Sequence, residues 1–279
     1  MSSLSWDGEG GDRLAVSYCS PEFLACTLAA SSDGFVFRAS QPGSHCGRLS
    51  SSSCLSALQI NPRAGQLVGA GTQAGGVGWW DTRMAGLAAR TVSAESHGGP
   101  VSSLVWVNSK TDSEMMTASG DGTVKLWDIR NFSCSRETFV IDLNNKDKKS
   151  LGDIDTAQGA SFLSYDPTIP SKYLVGTEAG RLLCCSRKAR SQPETITARF
   201  SGHHGSVRYL ERNPAASKYF LSLADTSAKV WAEEVSDSPV WWTKTAAHHS
   251  LTHGCWAPAR PSVFLTADLS GAVIARVGN

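Results

Sequence analysis

No run of about 18 apolar residues occurs in the 279-residue sequence, which excludes a helix built to cross a bilayer. The opening residues, MSSLSWDGEGGDRLAVSYCS, have no apolar core of the signal-peptide kind. Net charge is only +1, so nothing draws the whole molecule toward nucleic acid or an anionic membrane, and neither is expected as a partner. None of the eight cysteines (Cys19, Cys26, Cys46, Cys54, Cys134, Cys184, Cys185 and Cys255) forms a Cys-x-x-Cys pair. In a chain without a secretory signal they read as reduced cytosolic thiols. By the same logic the sequon at Asn131 to Ser133 is not expected to carry sugar. Helical periodicity is nearly absent. What is present is a 41% hydrophobic content with only 18% charged residues, enough to bury a core and too apolar for disorder.

The apolar residues are organised as a repeat. "SGDGTVKLWDIR" (Ser119 to Arg130) is its clearest unit. Related pieces begin at Asp33 ("DGFVFR"), Gly75 ("GGVGWWDTR"), Gly180 ("GRLLCC"), Asp225 ("DTSAKVW") and Ser270 ("SGAVIAR"). Aligned on the turn, the anchors fall at 34, 75, 122, 180, 226 and 271, a period in the forties with one longer step. Each unit contains four short β-branched or alternating runs broken by Gly and Asp; in the third these are "VSSLVWV", "EMMTASG", "TVKLWDI" and "ETFVI". This pattern predicts an all-β WD40-type β-propeller with about six recognisable blades. The predicted organisation is a single domain over 1–279, with units 1–50, 51–96, 97–142, 156–200, 201–245 and 246–279 and a polar, exposed insert at 143–157. The sixth unit lacks a fourth strand, and the expectation is six of seven blades in a fragment of a longer protein.

In such repeats a histidine, a Ser or Thr, an Asp and a Trp form a buried hydrogen-bonded chain that ties a turn to its sheet. His97, Ser119, Asp121 and Trp127 supply all four in the third unit. The fifth has His203, Asp225 and Trp231 but Leu223 at the serine position; the first has Ser31 and Asp33 but Ala39 at the tryptophan position. Ala74, Ala179 and Ser270 replace the Asp elsewhere, so the array is expected to depend mostly on apolar packing.

Patterns that suggest chemistry have simpler readings. "GAGTQAGG" (Gly69 to Gly76) resembles a dinucleotide loop, but a strand, "VGWWD", follows where a phosphate-binding helix is needed. No Walker-type loop occurs. "HGGP" (His97 to Pro100) has no Gly-x-Ser-x-Gly elbow to accompany it. His253 and Cys255 share a strand face near His249, yet further zinc ligands are lacking, and no metal is expected. No catalytic set and no cofactor site emerge. The adjacent Cys184 and Cys185 point to opposite sides of a third strand and read as small buried hydrophobes before a basic turn, "SRKAR". Trp79 and Trp80, and Trp241 and Trp242, are expected to pack one ring on each side of a blade, with interface anchoring as the second reading.

Longer phrases are more distinctive. They include "LAVSYCSPEF" (Leu14 to Phe23), "VWVNSKTDSE" (Val105 to Glu114), "YDPTIPSKYLVGTEAG" (Tyr165 to Gly180), "CSRKAR" (Cys185 to Arg190), "FSGHHGSVRYLERNP" (Phe200 to Pro214) and "LTHGCWAPARPSVFLTAD" (Leu251 to Asp268). Together they resemble the propeller of axonemal dynein intermediate chains, the intermediate chain 2 family of the ciliary outer arm. That resemblance implies a non-catalytic scaffold of a microtubule motor. Its partners would be a dynein heavy chain, a second intermediate chain and light chains, with axonemal microtubules engaged indirectly. Its location would be the cytoplasm and the axoneme of a cilium or flagellum. The sequence departs from the family in lacking the N-terminal extension and the last blade, and Thr226 stands where the family usually has Trp. The alternative is a substrate receptor of a cullin-RING ubiquitin ligase, because "WDTR" (Trp80 to Arg83) and "WDIR" (Trp127 to Arg130) both carry the Trp-Asp-x-Arg motif of such receptors.

Overall fold

A computed structural model describes residues 3–8, 11–18, 33–84, 90–92, 97–144, 152–165, 168–169, 171–245 and 249–278. Ser31 and the centre of the 143–157 insert lie outside the described residues. Six antiparallel sheets follow one another along the chain, in the order expected of propeller blades. The chain divides into two compact units, Met1–Phe139 and Val140–Asn279.

The first unit holds three four-stranded blades. Blade 1 comprises β1 (Ser3–Trp6), β2 (Arg13–Ser17), β3 (Gly34–Arg38) and β4 (Gln41–Leu49). Blade 2 comprises β5 (Leu55–Ile60), β6 (Leu67–Thr72), β7 (Val77–Asp81) and β8 (Arg90–Val92). Blade 3 comprises β9 (Val101–Val107), β10 (Glu114–Ser119), β11 (Thr123–Asp128) and β12 (Glu137–Val140), whose last residue is already across the unit boundary. The second unit begins with the described end of the insert, a single 3-10 turn at Ile154–Thr156 that the Asp153 carboxylate caps by accepting from the Asp155 N–H. Blade 4 follows, with β13 (Ala160–Tyr165), β14 (Lys172–Thr177), β15 (Arg181–Ser186) and β16 (Ile196–Ser201). Blade 5 has β17 (Val207–Arg212), β18 (Tyr219–Ala224), β19 (Ser227–Ala232) and β20 (Trp241–Lys244). Blade 6 has three strands among the described residues, β21 (Leu251–Trp256), β22 (Val263–Asp268) and β23 (Val273–Val277).

Strands apolar on both sides need cover on both sides, and neighbouring blades supply it. Ala15 and Val36 of blade 1 pack with Leu58, Val68 and Trp80 of blade 2. On the other side of blade 2, Ala57, Val77 and Trp79 meet Leu104, Trp106 and Trp127 of blade 3. The adjacent indoles of Trp79 and Trp80 therefore serve opposite faces, as strand alternation requires. In the second unit, Leu174 and Cys184 of blade 4 meet Phe220 and Trp231 of blade 5, while Leu221 and Leu223 of blade 5 meet Trp256 and Phe264 of blade 6.

A polar clasp accompanies each of two such contacts. Gln59 Oε1 accepts from the Trp106 backbone N–H at 2.9 Å, and its carbonyl accepts from the Trp106 indole at 3.0 Å. Glu211 repeats this with Trp256, at 3.0 and 3.2 Å. Two residues further on, Asn61 and Asn213 cap their own Asn-Pro turns and donate across to the next blade, to the carbonyls of Asp112 and Pro261 at 2.9 and 2.6 Å.

Close approach is obtained by pairing small with large residues. A Cβ on Gly71 would lie 2.2 Å from Val101 Cγ1, and one on Gly176 would lie 2.7 Å from Val207. At the equivalent register position blade 5 has Leu223, and blade 6 compensates with Gly254, whose Cβ would lie 2.7 Å from Leu223 Cδ1. Gly71→Ala is accordingly expected to lower stability by about 1–3 kcal/mol through overpacking. Val101→Ala in the same molecule should recover part of that loss. Urea unfolding of the two single variants and the double variant measures the coupling, and strict additivity would contradict the contact.

Candidate functional site

The side chains singled out by the repeat come together most fully in blade 3. Trp127 Nε1 donates to Thr117 Oγ1 at 2.8 Å, and Thr117 Oγ1 lies 2.7 Å from His97 Nε2. His97 Nδ1 lies 2.7 Å from Thr123 Oγ1, which donates to Asp121 Oδ1 at 2.7 Å. An indole can only donate and a carboxylate can only accept, so Thr117 accepts from Trp127 and the Thr123 hydroxyl proton is committed to Asp121. The Thr123 oxygen therefore accepts from a proton on His97 Nδ1. The other Asp121 oxygen accepts from the Gly98 N–H at 2.7 Å, tying the turn to the strand entry.

The hydroxyl in this chain belongs to Thr117, not Ser119. Ser119 is the last residue of β10, where its Oγ accepts from the Asp121 N–H at 3.2 Å. It occupies a turn-capping position that recurs: Thr72, Thr177 and Asp268 end the second strands of blades 2, 4 and 6 and accept from the N–H four residues on, at 2.9, 3.0 and 3.1 Å. Those blades lack the turn Asp at positions 74, 179 and 270, and this cap holds the turn in its place.

Blade 5 needs a second correction. Its hydroxyl is Ser222, which accepts from Trp231 Nε1 at 2.8 Å and lies 2.7 Å from His203 Nε2. Leu223, the residue expected at the serine position, packs against blade 6 instead. The turn is one residue shorter than in blade 3, because Ser222 pairs with Lys229 as Thr117 pairs with Lys125, yet only nine positions rather than ten separate hydroxyl and indole. The left-handed residue of the turn is Gly75, Gly122, Gly180 and Gly271 in four blades but Asp225, at φ 52°, in the fifth, one residue before the predicted anchor. Asp tolerates that conformation better than most residues. Asp225 Oδ2 accepts from the Gly205 N–H at 2.9 Å, whereas the chain itself runs from His203 through Ser227 to the Ala224 carbonyl. In blade 1, buried Asp33 accepts from Arg48 Nε at 2.6 Å.

Electrostatics agree with a structural role. Burial raises the Asp121 carboxyl, but the His97 ring, its Nδ1 3.6 Å from Oδ2, and the hydroxyl and N–H of Thr123 outweigh it and hold the group well below the usual carboxylate range. Burial, with Lys229 and His204 adding to it, pushes His203 down to about 3. Cys184 and Cys185 are buried on opposite faces of β15, and burial pushes the Cys184 thiol up to about 12 and Cys185 higher still. Neither is a poised thiolate. The His253 ring packs at a tilt against Tyr209 with centroids 4.4 Å apart, and among the described residues no group of His, Cys, Asp and Glu is arranged to hold a metal. In both Trp-Asp-x-Arg motifs the arginine folds back on its own aspartate, Arg83 Nη2 at 2.6 Å from Asp81 and Arg130 Nη2 at 3.0 Å from Asp128.

The family described as WD domain, G-beta repeat, matches residues 90–128, the stretch that holds the complete chain of blade 3. "Dynein intermediate chain 3, ciliary" of Heliocidaris crassispina is 38% identical over 271 residues, 97% of this chain and 44% of the relative. "Dynein axonemal intermediate chain 2" of Homo sapiens is 37% identical over 269 residues, 96% of this chain and 44% of the relative. This sequence is homologous to the axonemal dynein intermediate chains. A third member, "Dynein, 70 kDa intermediate chain, flagellar outer arm" of Chlamydomonas reinhardtii, is 33% identical over 276 residues, 98% of this chain and 47% of the relative. The chain spans less than half the length of these relatives. The likeness runs over nearly all of it, including the blades that lack the His–hydroxyl–Trp chain.

Two outcomes follow from the blade 3 and blade 5 geometry. Thr117→Val keeps the shape but leaves the Trp127 N–H and His97 Nε2 unpaired, and should cost about 2–4 kcal/mol in urea unfolding. Ser119→Ala should cost about 1 kcal/mol or less, and the reverse ranking would return the role to Ser119. His203 has its folded value below its unfolded one, so its contribution is complete above about pH 6.5 and is lost as pH falls toward the folded value. The stability advantage of the unaltered protein over His203→Gln should shrink by on the order of 2 kcal/mol between pH 7 and pH 5. A difference that does not change with pH would contradict a neutral, buried His203. Asp121 acts in a lower window, its contribution being lost only as pH falls below the ordinary carboxylate value near 3.8.

Proposed function

We propose that this chain is the blade-bearing part of a non-catalytic intermediate chain of an axonemal outer-arm dynein, its six units forming one WD40 domain over 1–279. The reading is carried by the likeness to ciliary and flagellar outer-arm intermediate chains across nearly the whole sequence. Its role is to bind the tail of a dynein heavy chain, alongside a second intermediate chain, and so to support assembly of the arm on axonemal microtubules. It works in the cytoplasm and in the axoneme of a cilium or flagellum. Light chains join the same complex.

The physical character of the blades supports a scaffold. Packed faces, polar clasps and capped turns hold many surface side chains at defined spacing, which suits a large, shallow protein contact. The histidines of the repeat and the paired thiols are used internally: His97 and His203 are buried in hydrogen-bonded chains, and Cys184 and Cys185 are enclosed. No observation favours the ubiquitin-ligase reading, whose two arginines are each engaged by a neighbouring carboxylate.

An affinity-tagged version expressed in ciliated cells of the source organism should co-purify with a dynein heavy chain and label the axoneme. Recovery of a cullin-RING adaptor in place of the heavy chain, with Arg83→Ala/Arg130→Ala abolishing that association, would replace this reading with the alternative.

A further inference from the structure

One part of blade 5 is not explained by the packing of the propeller. On the face of the sheet that carries Trp231, residues 227 and 229 of β19 lie opposite 244 and 242 of β20, so Ser227, Lys229, Trp242 and Lys244 share that face. Its inner part is covered, with Trp231 fully buried against blade 4. Its outer part is open: Trp242 is 55% exposed, although its neighbour Trp241 is packed edge-on to Phe264 at 5.4 Å. Here these side chains line an open cavity of about 340 Å³ together with Gly202, His204, Asp225 and Pro239.

The chemistry of the cavity is defined by two cations and an indole. Lys244 Nζ stands over the Trp242 ring, 5.7 Å from its centroid. Lys229 reaches toward Gly202, where a Cβ would lie 3.5 Å from its Nζ. Neither lysine is in an ion pair among the described residues, while Lys172 and Lys218 in the same unit both are. Burial lowers the Lys229 value, Lys244 lowers it further, and Asp225 acts in the opposite direction. Two ammonium groups repelling one another in a part-enclosed site favour a bound anion, which removes the repulsion. An exposed tryptophan beside them is the residue type that most often anchors a protein contact.

We propose that this cavity on the outer part of blade 5 binds an acidic peptide segment of a partner protein, a carboxylate seated between Lys229 and Lys244 and an apolar side chain laid on Trp242. The size of the cavity suits one or two side chains. A net charge of +1 and the Asp225 carboxylate on the cavity wall favour a single carboxylate over a polyanion. The proposal stands on blade 5 alone and is independent of which complex the chain joins.

Selection of a random displayed peptide library on the full chain tests it. Enriched peptides should carry Asp or Glu next to an aliphatic or aromatic residue. Their affinity should fall about tenfold or more for Lys229→Met/Lys244→Met and several-fold for Trp242→Ala, with no change for Lys188→Met as a surface control. Lys244→Gln alone, on an exposed strand position, should already weaken binding and reduce its salt dependence, which keeps the test valid if the double variant folds poorly. Enriched peptides without acidic residues, or an affinity indifferent to Lys244→Gln, would overturn the proposal. Binding of single-stranded oligonucleotide with the same lysine dependence, in the absence of acidic peptide binding, would overturn it in favour of a nucleic-acid site.

Discussion

Within each compact unit of this protein, adjacent blades depend on one another's cover. A short sheet that is apolar on both faces cannot stand in water, and within each unit the next blade is what excludes the solvent. The requirement sets the residues at the contact. Gly71 admits Val101, Gly176 admits Val207, and where Leu223 replaces the glycine the space is returned by Gly254 on the other side. Packing of this kind tolerates exchange of large and small residues only in pairs, which is how an array so uneven in its motifs keeps one architecture.

The hydrogen-bonded chains are secondary to that packing but give it register. In blade 3 the chain joins a strand entry, a second strand, a turn and a third strand through one imidazole. Blade 5 keeps the indole, the hydroxyl and the histidine but ends on a backbone carbonyl. Blades 2, 4 and 6 dispense with it and cap their turns from the last residue of the second strand. The Gln59 and Glu211 clasps around the next blade's tryptophan recur without regard to which kind of turn is present. Turn, strand and inter-blade contact are thus secured by separate devices, and losing one in a given blade leaves the others in place.

Much of this was legible in the sequence, and the misses have physical causes. The glycine-anchored turns, the strand order and the opposed directions of Trp79 and Trp80 follow from two-residue alternation and from the need for positive φ. The chain hydroxyl was misplaced because it is defined by which residue faces the indole across the sheet. Thr117 and Ser119 both point to that side of β10, and only the cross-strand register tells them apart. In blade 5 the shorter turn moved the frame by one position, so counting back from Asp225 reached a packing residue, Leu223. The clasps carry a signal of their own: "LQINP" and "LERNP" repeat a long polar residue two places before Asn-Pro.

Composition, period and turn chemistry by themselves determined the class of fold, the number of recognisable units and the absence of a recognisable catalytic, nucleotide or metal motif, because those depend on local spacing along the chain. Extended phrases carried the relationship to the axonemal dynein intermediate chains. Tertiary structure alone decided which hydroxyl completes each chain, which indole is enclosed and which is left open, and that Lys229, Lys244 and Trp242 share one cavity. Residues fifteen apart in sequence become neighbours only when β19 and β20 pair, and the openness of that face depends on where blade 4 stops covering it.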